Sequence, residues 1–359
     1  MAAKQHDPEF LSEVLEVWRR HDNIATAARE MGVPRNTFAS RLERAKTAEA
    51  EGKLVGATTP ALEFPDFGDD DVPIDELLDI QIRRNRKRIK YRQNKHWFPI
   101  KVNVDGPIGL TWFGDPHVDD NFCNLELLKH HCDLHASTEG LYGANIGDTT
   151  NNWVGRLQRL FGEQDTSQMT ARKLAKWLLA DSGVTWMLWL LGNHDLWNEG
   201  EAILKEMNGH KVTMEKEPFP GTPMETWQAK FRLVFPNGRE CRIWAAHDFP
   251  GHSMWNSLHS AQRAAHHQEM AHLYVCGHKH NWATHQEESA SRGFVYWLAR
   301  ARGYKWVSDH AEKMGHAAQQ EGASITAILD PDAKSEAGFI SCFPDMDEAV
   351  DYLNWKRSR

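Results

Sequence analysis

Aspartate, histidine and asparagine side chains recur directly after short apolar runs of the sequence. Five runs are each followed by a motif of this kind, and four of the five motifs contain glycine. Carboxylate, imidazole and amide groups suit Mn²⁺, Fe²⁺ or Zn²⁺, and glycine lets the backbone turn sharply and approach a ligand closely. In chain order the motifs are Gly114-Asp115-Pro116-His117, Gly147-Asp148, Gly192-Asn193-His194-Asp195, His247-Asp248 and Gly277-His278-Lys279-His280. Together they offer enough ligands for two metal ions that share one bridging carboxylate.

The apolar runs before these motifs predict buried β-strands, because they are short and bounded by turn residues. Helical patterns over residues 169–180 and 257–270 alternate with the strands, which indicates a layered α/β fold. In such folds ligands bind at the carboxyl ends of the strands, where the five motifs lie. The predicted strands are 108–113, 144–146, 184–191, 241–246, 273–276, 294–298 and 325–329.

The ordered motif set, DxH…GD…GNHD…H…GHxH, resembles that of the calcineurin-like metallophosphoesterases over roughly residues 106–329. The resemblance implies an α/β/β/α sandwich with a dinuclear metal centre at the strand ends. It implies that the first metal is held by Asp115, His117, Asp148 and His280. It implies that the second metal is held by Asp148 as the bridge, together with Asn193, His247 and His278.

Three further positions near the centre carry predictions. His194 matches the family's non-ligand histidine beside the scissile phosphate, where imidazole can protonate or stabilise a leaving oxygen. Asp195 is the second predicted catalytic residue, and it would fix either the adjacent turn or the orientation of His194. His252 is a rival of His247 for the fourth motif, and His247 is preferred because it directly follows an apolar run.

A dinuclear centre of this kind predicts phosphoester hydrolysis. Two cations ~3.5–4 Å apart neutralise phosphate oxygens and acidify water, so that a metal-bound hydroxide attacks phosphorus. Mn²⁺ is the preferred metal, with Fe, Zn, Ni and Mg as alternatives. The second motif continues as Thr149-Thr150-Asn151-Asn152-Trp153, where the family's protein phosphatases have GDxxDRG. This departure disfavours a protein phosphatase and favours the phosphodiesterase and exonuclease branches.

Residues 1–47 predict a small three-helix domain that resembles the helix-turn-helix of bacterial and phage regulators. Asn23 is a plausible N-cap of the second helix, Gly32 makes the turn, and Pro34 opens the third helix. The third helix would be the recognition helix on DNA. Its candidate contacts are Arg35, Asn36, Ser40, Arg41 and Arg44. A docking or dimerisation module is the alternative.

Charge separates this domain from the rest of the chain. Residues 48–80 contain ten acidic residues and one lysine, which is typical of a solvated linker. Residues 83–95 contain eight basic residues and no acidic one, which favours contact with a phosphate backbone over a merely solvated helix face. The predicted domains are therefore 1–47, a linker and basic segment over 48–105, and the metallophosphoesterase domain over 106–359.

Composition limits the classes of protein that remain. A formal net charge of −8 excludes a globally basic nucleic-acid binder, so any nucleic-acid contact must be local. No apolar run approaches the ~20 residues of a membrane-spanning helix, and the first residues lack a signal-peptide pattern. The five cysteines have no paired spacing, which favours the reducing cytoplasm.

The combined prediction is a phosphodiesterase or nuclease that acts on nucleic acid, with DNA favoured. The helix-turn-helix head would suit a phage protein. One alternative is a phosphomonoesterase or cyclic-nucleotide phosphodiesterase whose head only oligomerises. The other is a DNA-binding regulator whose metal site is a relic, and the intact ligand set argues against it. Base stacking is open to tryptophans near the motifs, namely Trp153, Trp197, Trp255 and Trp282.

Overall fold

A computed structural model describes residues 7–54, 72–214, 221–289, 293–306 and 321–359 of the 359-residue chain. The chain divides into two compact units, Met1–Leu78 and Asp79–Arg359. The boundary between them differs from both boundaries that the sequence suggested, at residues 47 and 106.

The first unit contains the three helices expected from the sequence, α1 (Pro8–His21), α2 (Ile24–Glu30) and α3 (Arg35–Ala50). The Asn23 side chain caps α2 by accepting from two backbone amides at 2.9 and 3.2 Å. Pro34 is the N-cap of α3 and not its first residue. The helices share a buried core that includes Leu11, Val14, Leu15, Phe38 and Leu42. Its identity as a helix-turn-helix domain stays a prediction.

The segment between the first helices and Gly106 contains two further elements. Helix α4 (Ile74–Asn94) carries the basic run, and none of its residues is buried. Strand β1 (His96–Lys101) pairs in parallel with a strand of the second unit. Regular structure in the second unit therefore begins upstream of residue 106, because β1 completes the edge of a sheet.

The second unit is an α/β fold with two six-stranded mixed sheets flanked by helices. All seven strands predicted from the sequence are present, and five further strands join them. The first sheet, in spatial order, consists of β1, β6 (Gln228–Val234), β7 (Glu240–Ala246), β8 (Leu273–Cys276), β10 (Phe294–Arg300) and β9 (Ala283–Ser289). The second sheet consists of β12 (Ile340–Phe343), β11 (Ser324–Leu329), β2 (Ile108–Phe113), β3 (Leu141–Asn145), β4 (Trp186–Leu191) and β5 (Met224–Thr226).

The two sheets face each other across the main apolar core. On β4, Leu188 and Leu190 contribute to this core, whereas Trp189 and Leu191 pack on the outer face against helices. Phe231 of β6 meets Trp112 of β2 across the same core, with ring centroids 6.4 Å apart. Central strands such as β2 and β11 thus bury both faces.

Helices cover the outer face of each sheet. The second sheet is covered in part by α5 (Leu125–Ser137) and by α6 (Gln168–Lys176), which continues as a π-helical turn to Asp181. Helix α8 (His259–His267) packs on the first sheet. The remaining helices are the 3₁₀-helix Gly155–Gly162, α7 (Gly200–Met214) and α9 (Met346–Arg357).

The predicted helices are close to the observed ones. The pattern over 169–180 corresponds to α6 and its π-helical turn, and the pattern over 257–270 corresponds to the shorter α8. Within the described ranges, no helix is both long and apolar enough to cross a membrane. All five cysteines are described and are free thiols.

Strand direction determines where the site lies. Strands β2, β3 and β4 run parallel in the second sheet, and β7 and β8 run parallel in the first. The carboxyl ends of parallel strands lie at one edge of a sheet. The five predicted motifs follow these five strands, so each sheet presents its motifs at one edge.

Candidate metal centre

The seven predicted metal ligands lie together where the two sheets meet, in a group that we call the metal cluster. Four of its side chains are buried, and the three others are partly exposed, so the cluster opens to solvent on one side. Its members are Asp115, His117, Asp148, Asn193, His247, His278 and His280. Every member follows a strand within five residues, so two rigid sheets fix their positions.

His247 lies at the centre of one half of the cluster. Its Nδ1 donates to the backbone carbonyl of Ile146 at 3.0 Å, so Nε2 is the ring nitrogen that faces the cluster. That atom lies 3.0 Å from the amide oxygen of Asn193, 3.0 Å from Nδ1 of His278 and 3.3 Å from Oδ2 of Asp148. These four side chains are the set predicted for the second metal.

Asp148 links this half of the cluster to the other. Its Oδ2 lies 3.9 Å from Nε2 of His117, and its Oδ1 accepts from the backbone amide of His194 at 2.9 Å. Two groups of side chains that could hold a metal ion share Asp148, one with His117 and His194 and the other with His247 and His278. Asp148 is therefore the residue that the two halves of the cluster have in common.

The other half of the cluster contains Asp115, His117 and His280. Nε2 of His280 lies 3.9 Å from Oδ2 of Asp115, and the rings of His117 and His280 are stacked with centroids 5.4 Å apart. Oδ1 of Asp115 and Nδ1 of His117 are buried without a hydrogen-bond partner among the described residues. Buried polar atoms normally have partners, and these orphaned atoms fit a site built for a cation.

Backbone strain is concentrated at the cluster. Four of its residues have left-handed backbone conformations, with φ between 41° and 68°. Such conformations are uncommon in residues other than glycine, and they are typical of functional sites that surrounding structure holds in place. These residues are His117, Asp148, His278 and His280.

The glycines of the motifs allow the two sheets to approach each other. A Cβ atom on Gly147 would lie 2.6 Å from the amide nitrogen of Gly192, and one on Gly277 would lie 3.0 Å from Oδ1 of Asp115. A Cβ atom on Gly192 would overlap Oδ1 of Asp148. Glycine is therefore required sterically beside the Asp148 carboxylate.

Asp195 fixes the turns that carry the cluster. Its carboxylate is buried and accepts from the backbone amides of Asp148, Thr149 and Gly192, at 2.7, 2.9 and 3.0 Å. Of the two roles predicted for Asp195, the geometry matches the one at the turn. The assignment of Asp195 as a catalytic residue stays a prediction, and its carboxylate oxygens accept from the backbone amides of these turns.

The orientation of His194 comes from a different group. Its Nδ1 bonds to the backbone carbonyl of Asn151, which leaves Nε2 facing Asp148 at 3.9 Å from Oδ2. The Asn152 amide holds the same loop by donating to the carbonyls of His194 and Trp197, both at 2.8 Å. Asn151 stands where the protein phosphatases have a carboxylate, and here a backbone carbonyl bonds to the histidine.

Burial and neighbouring charges shift the pKa values of the cluster's side chains in different directions. Burial lowers the pKa of His278 to about 4 and that of His117 well below its usual range. Burial raises the pKa of Asp115 to about 7. Burial opposes the protonation of His247, but its hydrogen bond to Asp148 and the two carboxylates raise its pKa to about 9. The environment of the cluster thus favours the neutral form of His117, His278 and His280 and the protonated form of His247.

Lys305 is a cation beside the cluster whose place the sequence did not define. Its Nζ pairs with Asp120 at 2.7 Å and contacts the amide oxygen of Asn151 at 3.2 Å. After burial, its charge is the largest cause of the lowered pKa of His117 and His280. In the sequence, only the three basic residues among residues 300–306 indicated positive charge in this segment.

The remaining predicted site residues lie elsewhere. His252 is exposed, and no contact among the described residues joins it to the metal cluster, whereas His247 lies at the centre of that cluster. On α3, the Arg41 guanidinium lies 5.2 Å from the ring centroid of Phe10 and is half-buried. The other candidate DNA contacts are exposed, namely Arg35, Asn36, Ser40 and Arg44.

Comparisons with known proteins give little further information. No protein-family model matches the chain, and no curated protein sequence matches it. Among solved structures, the chain is similar to NAD nucleotidase of Haemophilus influenzae, with 11% sequence identity and a TM-score of 0.34. The alignment covers 66% of this chain and 49% of that one, so it spans about half the length of the nucleotidase.

We expect Gly192→Ala to disrupt the cluster, because its methyl group would overlap Oδ1 of Asp148. Manganese affinity, measured by calorimetry, should fall at least about tenfold, as it does when residues that orient metal ligands are changed. Gly162→Ala is the control, since Gly162 has no neighbour within 4 Å of an added Cβ atom. Equal affinities in the two variants would contradict this account of the turn.

We expect manganese binding to release protons and to strengthen as the pH rises from about 6 to 9. His247 has a raised pKa of about 9 in the metal-free protein, so its proton competes with the cation below that pH. Each displaced proton should change the apparent affinity by up to about tenfold per pH unit. His252→Ala should follow the same curve as the unchanged protein. An affinity that does not vary with pH would exclude His247 as a ligand.

Proposed function

We propose that the protein is a dinuclear-metal phosphoester hydrolase of the calcineurin-like type, and that it acts as a phosphodiesterase on nucleic acid. One observation carries the proposal. Seven side chains from five strand ends gather at the buried carboxylate of Asp148, and two groups of possible metal ligands share that carboxylate, one with His117 and His194 and the other with His247 and His278. Sharing of one carboxylate by two sets is what a pair of metal ions requires.

The residues present fit divalent metal ions. Asp115, His117 and His280 with Asp148 would hold one cation, and Asn193, His247 and His278 with Asp148 would hold the other. Oxygen and imidazole donors suit Mn²⁺, which we propose as the metal, with Fe²⁺ and Zn²⁺ as alternatives. When bound, such a pair of cations supplies the positive charge that a phosphate ester needs to accept a nucleophile.

In the proposed reaction the protein itself supplies charged groups, fixes their positions and provides a side chain that can carry a proton. His194 presents Nε2 toward the cluster while its Nδ1 is held by the Asn151 carbonyl. Burial lowers the pKa of His194, which makes its imidazolium form a stronger acid that gives up the proton at Nε2 more readily. We propose that this atom assists departure of the leaving oxygen.

The first unit is proposed to bind DNA through α3. Four of its five candidate contacts are exposed on that helix, and Arg41 has a second function in packing on Phe10. No residue of α4 is buried, so the cations that this helix carries are accessible to a phosphate backbone. Binding of this kind would increase the local concentration of a nucleic-acid substrate.

We expect Asp148→Asn to abolish hydrolysis of bis(4-nitrophenyl) phosphate by the manganese-loaded protein. An amide cannot supply the negative charge shared by both ligand sets, so the rate should fall by more than about a hundredfold, with a lower manganese content. Asp347→Asn is the control, because Asp347 is exposed and pairs only with the surface residue His130 among the described contacts.

Retention of the full rate by Asp148→Asn would overturn the proposed function. Full activity of the unchanged protein after complete metal removal would do the same. A preference for 4-nitrophenyl phosphate over the diester would favour the phosphomonoesterase alternative.

His194→Ala tests the proton site separately from metal binding. We expect manganese content to be unchanged and the rate to fall by about 10²- to 10⁴-fold for a diester with an alkyl leaving group. The decrease should be smaller for a nitrophenyl leaving group, which departs without protonation. Loss of one manganese equivalent would instead make His194 a ligand, which its distance from Asp148 also allows.

The double variant Arg35→Ala, Arg44→Ala tests the first unit. We expect weaker binding to a random-sequence DNA duplex and a salt dependence that is shallower by about 0.9 for each phosphate that the variant no longer neutralises. Hydrolysis of the small diester should be unchanged. The control Arg19→Ala, Arg20→Ala removes the same number of charges, and these two arginines are already paired with Glu49 and Glu30. Equal DNA binding by all three proteins would favour docking or dimerisation.

A further inference from the structure

Trp227 lies beside the metal cluster at a junction of the two sheets. It is the single residue between β5 of the second sheet and β6 of the first. Its amide donates to the carbonyl of Leu191 at 3.1 Å, and its carbonyl accepts from the amide of His247 at 2.7 Å. These bonds tie its backbone to the ends of β4 and β7, which carry two of the motifs.

The indole of Trp227 is directed to the edge of the cluster. Its ring centroid lies 6.3 Å from that of His247, and 50% of the residue is exposed. By contrast, Trp112, Trp189 and Trp244 on the strands are buried. A half-exposed indole in contact with a cluster histidine provides a flat apolar surface next to a polar centre.

The backbone at Trp227 indicates that a side chain is needed there. Its φ is +64°, a conformation that glycine adopts freely and that bulky residues rarely adopt. Eight other described residues that are not glycine have a left-handed backbone, and four of these eight belong to the metal cluster. Glycine would adopt this backbone conformation more easily if the residue only connected the two sheets. The tryptophan side chain at this position therefore needs another explanation.

We propose that Trp227 stacks on the nucleobase next to the phosphate that is bound at the metal cluster. This inference rests on the proposed phosphodiesterase function and adds the recognition element of its substrate. Every nucleobase has an aromatic face, so an indole binds bases with little regard to sequence. The substrate class is therefore a nucleotide ester whose base lies on the His247 side of the cluster.

The test compares two ligands that differ only in the base. Binding of thymidine 5′-monophosphate and of deoxyribose 5-phosphate to the manganese-loaded full chain is measured by calorimetry. We expect the unchanged protein to prefer the nucleotide by about 5- to 150-fold, the range typical of one base–aromatic stack. Trp227→Gly should abolish this preference while it leaves the affinity for the sugar phosphate unchanged.

Two other variants separate stacking from folding. Glycine suits the backbone at +64°, so Trp227→Gly removes the indole without adding strain. Trp227→Phe should keep most of the preference, since it keeps an aromatic face. Trp355→Ala should keep all of it, because Trp355 is similarly exposed, at 45%, but lies on α9.

Hydrolysis of bis(4-nitrophenyl) phosphate is measured on the same samples, so the two proposals can fail separately. An unchanged nucleotide preference in Trp227→Gly would overturn the stacking inference even if hydrolysis is normal. The absence of a preference in the unchanged protein would overturn it as well. Loss of preference in Trp227→Gly, with no hydrolysis by any sample, would support base stacking and contradict the phosphodiesterase function.

Discussion

The structure of the site depends on the burial of one carboxylate, Asp148, among imidazoles that come from both sheets. A buried carboxylate is costly unless it is paired and hydrogen-bonded. Here Oδ1 accepts from the His194 amide, and Oδ2 lies 3.3 Å from Nε2 of His247. Burial raises the pKa of Asp148, but the hydrogen bond and charge of His247 outweigh burial, and the net pKa is lowered. The positive charge of the protonated His247 thus compensates the negative charge of Asp148, at the place where we propose that cations bind.

A second buried carboxylate, that of Asp195, holds together the turns that carry Asp148 and Asn193. Asp195 gathers three backbone amides from the turns after β3 and β4, so the turn that carries Asp148 and the turn that carries Asn193 are joined. Glycine at positions 147 and 192 leaves room for this junction. Because Asp195 accepts from the amide of Asp148, it helps to fix the position of that residue.

The sequence predicted the strands and motifs well because both are local patterns. The strand at 108–113 and the strand at 273–276 have the bounds that their apolar runs indicated. Strand β1 and the pair β5 and β6 were not predicted, because they depend on pairing with distant strands. The contacts of Lys305 and the left-handed backbone of Trp227 also arise only in the folded chain. The choice between two roles for Asp195 likewise required the positions of amides from two separate turns.

Aromatic side chains lie next to two histidines of the site, His194 and His247. The His194 ring lies near the rings of Trp197 and Trp153, with centroid distances of 4.2 and 5.3 Å. Trp227 lies beside His247. Rings that contact His194 limit its movement, which suits the proton-transfer role that we propose for it. The polar cluster is therefore flanked by aromatic side chains at two separate positions.

The central claim is that two ligand sets share Asp148, and anomalous X-ray scattering from a crystal grown with Mn²⁺ tests it most directly. The account predicts two manganese peaks next to the Asp148 carboxylate. One should lie among Asp115, His117 and His280, and the other among Asn193, His247 and His278. A crystal saturated with Mn²⁺ that shows no peak at Asp148, or peaks only at other surface carboxylates, would contradict the account.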